Sequence, residues 1–244
     1  MSKPTPPPPF VNHWPVWLIC GWALAVSSIA GFINAYSFSA AVKIPVTHMT
    51  GSTSQVAIRL ISGSTSRELV MYASVIGAFV AGAAISGMIV GTRVLKPGRR
   101  YGIVWAVEGA MLLVAELLFG DDMPWAATAL MAAACGLQNA MASSYLGMVL
   151  RTTHLTGVLT DIGVLLGHFV KGEEVSGSKA AILFSILAGF LGGGVISTFW
   201  ATQDDATPLL FLGSGLLVFG LCYYVNRVWH KESVGRRAAG ILDE

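Results

Sequence analysis

Two histidines stand inside copies of one short polar word. Thr47-His48-Met49-Thr50-Gly51 returns as Thr153-His154-Leu155-Thr156-Gly157, and the two copies are 106 residues apart. An imidazole can donate, accept or carry a proton, and it can contact a solute. Thr and Gly at the start of a helical run favour an N-cap. A helix that starts inside a membrane turns unpaired N–H groups and a partial positive charge toward the protein interior. That geometry suits an anion, or a polar solute with acceptor oxygens.

A second pair of words precedes the first in each half. Gly31-Phe32-Ile33-Asn34-Ala35 returns as Gly136-Leu137-Gln138-Asn139-Ala140. Further on, Gly77-Ala78-Phe79-Val80 aligns with Ala188-Gly189-Phe190-Leu191, and Ile85-Ser86 with Ile196-Ser197. Rare residues repeated in the same order mark an internal duplication. Asn34 and Asn139 are amides that need partners inside lipid, and tying the polar words to the long helices would satisfy them.

The candidate solute-binding set is Asn34, Thr47, His48, Thr50, Gly51, Asn139, Thr153, His154, Thr156, Gly157 and Asp161. Arg59 and Glu108 are candidates for a charge pair or relay, since charges inside membrane helices are costly and usually face the bundle interior. Arg59 with Asp161 is one conceivable pair; Glu116 lies close to a span end. His154, Asp161 and His168 are spaced seven apart. That places neighbours about 10.5 Å apart along a helix, too far to share one metal. No HExxH, GxSxG, Walker or GxGxxG word is present. Cys20, Cys135 and Cys222 are scattered through apolar runs and form neither a disulfide framework nor a metal knuckle. No cofactor or metal is expected.

The elements that carry these residues are set by composition. Hydrophobic residues make up 54% of the 244 and charged ones 11%, with a mean hydropathy of +0.67. A water-soluble domain carries about 25% charged residues, so lipid must surround most of this chain. Apolar stretches at 16–41, 69–95, 102–119, 124–148, 178–200 and 208–229 each reach spanning length. Residues 47–62 and 153–169 are shorter or more polar, and such segments are tolerated at membrane depth only when buried in protein or lining a wet cavity. Glycines at small-xxx-small spacing, Gly77, Gly82, Gly87 and Gly91, then Gly163 and Gly167, then Gly189, Gly193 and Gly194, are read as bundle packing.

The fold expected is all-α: a polytopic membrane bundle of six transmembrane helices plus two short broken or re-entrant helices, arranged as two inverted repeats of three spans each. A Pro-rich tail (1–15), a first repeat (16–119), a second repeat (120–230) and a C-terminal tail (231–244) complete the division. Charge favours six spans over eight. Arg93, Lys96, Arg99 and Arg100 form one basic loop, and Arg227, His230, Lys231, Arg236 and Arg237 form a basic tail. Positive segments stay cytoplasmic. With six spans both lie inside with the N-terminus, and Asp121-Asp122 and Asp204-Asp205 both lie outside. With eight, the two acidic loops are split.

The pairing of GFINA with THMTG, and of GLQNA with RTTHLTGVLTDIG, resembles the YoaK-like family of multi-pass bacterial membrane proteins, defined as having unknown function. The likeness runs from about Val16 to Trp229; Ser52 stands where that family's first motif typically carries Asn. It implies a bacterial inner-membrane protein and no particular substrate. Expected partners are the lipid bilayer and a small solute, with homo-oligomerisation open and no nucleic acid. A transporter or channel-like role leads; an intramembrane enzyme using His48, His154 and Asp161, or a ligand-free assembly protein, are the alternatives.

Overall fold

A computed structural model describes residues 15–39, 42–62, 66–91, 98–144, 153–203 and 207–238. The N-terminal tail before Pro15 lies outside them, as do Arg93, Lys96, Arg151, Asp204 and Asp205. The described residues form eight helices: α1 Val16–Ser39, α2 Met49–Ser62, α3 Ser66–Val90, α4 Arg100–Gly120, α5 Pro124–Ser144, α6 Leu155–Val170, α7 Gly177–Ala201 and α8 Pro208–Ala238. Five of them, α1, α3, α4, α7 and α8, are long and apolar enough to cross a membrane. The chain is a multi-span helical membrane protein.

The sixth expected run, carried by α5, is not among these five. α5 has the length but not the hydropathy, because it is rich in alanine and carries Gln138, Asn139 and serines. Its burial explains the composition. Every residue from 131 to 138 is buried, between α3 on one side and α4 on the other. A helix wrapped by protein needs small residues for close approach, not lipid-facing bulk.

Helix pairing follows the duplication. α1 packs along α7 and α5 along α3, while α4 packs along α8. Exchanging the halves turns the first pair into the second and the third into itself. The crossings match residue by residue. A Cβ on Gly31 would overlap the Phe190 carbonyl, and one on Gly136 would overlap that of Phe79. Gly193 meets the Ser28 backbone as Gly82 meets that of Ala133. The molecule is a pseudo-twofold with interleaved halves.

The same contacts give helix directions. Leu24 and Ser28 of α1 meet Gly189 and Gly193 of α7 in ascending order, so these helices run parallel. Gly102 meets Gly220 and Tyr224, whereas Gly109 meets Gly213 and Leu217, so α4 and α8 run antiparallel. Gly77, Gly87, Gly163 and Gly167 face open space instead; spacing alone overstated their role in packing within the chain. α8 continues as helix to Ala238, beyond the end of the apolar run.

Candidate functional site

The site is built at the ends of four helices. In α1, Gly31 marks the crossing with α7, and Asn34, three residues on, lies on the same side one turn later. α1 stops at Ser39, and the link returns inward. Ser37 donates its hydroxyl to the Ile44 carbonyl at 2.7 Å, and Ile44 and Val46 are buried. The returning chain brings Thr47 to Asn34. The Asn34 side-chain oxygen accepts from the Thr47 N–H at 3.0 Å and from its hydroxyl at 2.8 Å. A backbone N–H can only donate, so the amide oxygen must face Thr47 and its NH2 group must face away.

The second half repeats the arrangement. Gly136 of α5 crosses α3, and the Asn139 oxygen accepts from the Thr153 hydroxyl at 2.9 Å. The two amides thus tie the polar words to the long helices.

Beyond each threonine a short helix begins. α2 starts at Met49 just after His48, and α6 at Leu155 just after His154. His154 is the residue before the first turn of α6, and its side chain makes no capping hydrogen bond. The threonines expected as caps bind asparagine instead. The invariant spacing of His and Gly within each word also has a physical cause. A Cβ on Gly157 would run into the His154 ring, 2.8 Å from Nε2, and one on Gly51 would sit 3.5 Å from the His48 ring. Glycine at 157 lets the His154 imidazole fold back over its own first turn, whereas at 51 a Cβ would make only ordinary contact with the His48 ring.

These elements border a partly open cavity of about 350 Å³, lined from both halves, in which His48, Thr50, His154 and Thr156 are exposed. Asn34 and Asn139, Thr47 and Thr50 with Thr153 and Thr156, and His48 and His154 line it in matching pairs; Met49 and Leu155, with Phe79 and Phe190, supply the apolar wall. Each lining residue has its counterpart in the other half, so the cavity lies on the pseudo-twofold axis. Phe79 and Phe190 sit midway along the 25-residue helices α3 and α7, which puts the cavity at mid-depth of the bundle. Among the described residues, no Asp, Glu, Lys or Arg lines it.

The four apolar residues were absent from the sequence-derived site, although Phe79 and Phe190 fall in the duplicated stretch. Their signal was the repeat itself, because each phenylalanine contributes the carbonyl that the partner half's glycine crosses.

The ionisable candidates lie elsewhere. Arg59 does not pair with Asp161. It binds Glu68 at 3.0 Å and Gln55, and stacks over the Tyr72 ring at 4.5 Å, because α2 lies against α3. Asp161 faces Lys179 at 3.6 Å across α6 and α7, and both side chains are half exposed. Glu108 is fully buried in α4, with neither carboxyl oxygen partnered among the described residues. Glu116 is part-buried, with one buried oxygen unpartnered among the described residues.

Residues 22–223, most of the chain, match the sequence profile of the family described as "Protein of unknown function (DUF1275)". No curated protein and no solved structure matches.

Proposed function

The chain belongs to the DUF1275 family, and from that premise we propose a small-solute transporter or channel-like protein whose site is the cavity between the two THxTG segments. The carrying observation is a mid-depth cavity on the pseudo-twofold axis, lined by hydrogen-bonding groups from both halves and, among the described residues, by no charged side chain.

The donor balance favours an anion or an acceptor-rich polar solute. Both asparagine oxygens already accept from threonine, which turns amide N–H groups toward the remaining space. The first turns of α2 and α6 add backbone N–H groups, and two helix N-termini each bring about half a positive charge. Paired half-helices aimed at a midplane site recur among transporters built from inverted repeats.

Helix direction supports six crossings, with α5 as the sixth span. If all eight helices crossed, α8 would run parallel to α4; the two are antiparallel. One helix between them must then fail to cross, and α6, with 16 residues, is the shortest. Since α1 and α7 are parallel, α2 must fail to cross as well. Three crossings per repeat invert the second half. Each short helix then runs from the cavity back to the face it came from.

Arg99 and Arg227 lie at one end of the α4–α8 pair and Asp121-Asp122 at the other. With positive ends inside, the basic end faces the cytoplasm, the orientation expected of a bacterial inner-membrane protein. Acid–base chemistry by His48, His154 and Asp161 is the weaker reading, since Asp161 faces Lys179 rather than the cavity.

Purified protein in proteoliposomes, assayed for flux of halides, small carboxylates, phosphate and neutral polyols, tests the proposal. Saturable flux of an acceptor-rich solute, abolished in a His48→Ala/His154→Ala double variant, is the expected result. Folded protein without flux or binding across that panel would refute it.

A further inference from the structure

The pseudo-twofold axis breaks at one place. Exchanging the halves turns the α4–α5 contact into an α8–α1 contact. α5 packs closely along α4, yet α1 has no comparable packing along α8. The missing contact is replaced by a groove of about 460 Å³. Trp22 and Val26 of α1 form one wall, and Trp105 of α4 with Phe219 and Tyr223 of α8 form the other.

The far wall is already set. Trp105 meets Phe219 edge to face at 5.9 Å, and Phe219 meets Tyr223 at 6.2 Å. Arg227 lies at the mouth, where its Nε donates to the Tyr223 hydroxyl at 3.3 Å and its guanidinium stacks 5.3 Å from that ring. Among the described residues, no carboxylate lines the groove. Because α4 and α8 are antiparallel, Arg99 at the start of α4 stands at the same end.

An apolar slot this size, left empty in lipid, forfeits contacts along both walls. Aromatic side chains mark the level of membrane headgroups, and basic pockets between helices on the cytoplasmic side suit anionic lipid headgroups. We infer that the groove between α1 and the α4–α8 pair holds one anionic phospholipid, with an acyl chain against Trp22, Val26 and Phe219 and its phosphate at Arg227. The lipid stands in for the α1–α8 contact and braces α8 against the bundle.

Native mass spectrometry of the delipidated full-length chain tests this with phosphatidylglycerol, phosphatidylethanolamine and water-soluble glycerol phosphate as probes. Wild type should retain one phosphatidylglycerol about fivefold more tightly than phosphatidylethanolamine, the margin of one basic residue near a membrane surface, and should not bind glycerol phosphate. Arg227→Gln should erase that preference. Ala25→Phe, which fills the slot from α1, should remove the lipid adduct while leaving the circular dichroism and thermal midpoint intact. Equal retention of the two lipids by wild type, retention unchanged in Ala25→Phe, or a lipid-free dimer that Ala25→Phe abolishes would each overturn the inference.

Discussion

Thr47 presents both its N–H and its hydroxyl to the Asn34 side-chain oxygen, so Asn34→Leu strands two donors beside the cavity. An unsatisfied buried donor costs about 1–3 kcal/mol, and about 1 kcal/mol moves the midpoint of a chain this size by 2–4 °C. Asn34→Leu should therefore lower the thermal midpoint by several degrees. Asn139→Leu should lower it less, because Asn139 holds one such bond to Thr153. Scanning both variants in detergent checks the order. The glycines differ in the same graded way. Gly157→Ala must displace the His154 ring, while Gly51→Ala makes ordinary contact with His48. Solute binding should weaken severalfold in Gly157→Ala and stay near wild type in Gly51→Ala, as read by titration with a transported solute. Glu108 sits unpartnered in the core. Glu108→Met, which removes a stranded polar group without leaving a large void, should hold or raise the midpoint in the same thermal scan. The paired histidines, threonines and asparagines were legible as site candidates because they recur. The conceivable Arg59–Asp161 pair does not form, because sequence shows which charges exist and not which neighbour reaches them first. Glu68 and Lys179 lie on the next helices, closer than any cross-half partner.

Glycine decides how the helices meet. Gly31, Gly82, Gly136 and Gly193 admit the backbone of a helix from the other half, with no space for a Cβ. Gly82→Leu or Gly193→Leu must push the crossing helices apart and should cost well over the 1–3 kcal/mol usual for overpacking, appearing as aggregated or unfolded protein in size-exclusion chromatography. Gly77→Leu and Gly87→Leu, which point into open space, should purify as wild type. Small-residue spacing located these stripes but not which members touch, because a helix shows glycine on several faces and only the fold selects one. α5 is less apolar than the apolar spans of the other five long helices for the same reason: it is shaped by neighbours, and its alanines answer to protein rather than lipid.

The whole molecule is two interleaved copies of one unit, with a mid-depth cavity where their symmetry-related polar words meet. The duplication was open to reading in the sequence, and so was the shortness of the two polar helices. The interleaving was not, since the pairing of α1 with α7 and of α3 with α5 is a long-range arrangement with no local signal. Direction is where the account is most exposed. Epitope tags inserted between α2 and α3, and between α6 and α7, can be probed with protease in sealed vesicles of known orientation. Inverted halves require the two tags to be cleaved from opposite faces of the membrane. Cleavage of both from the same face would contradict the account.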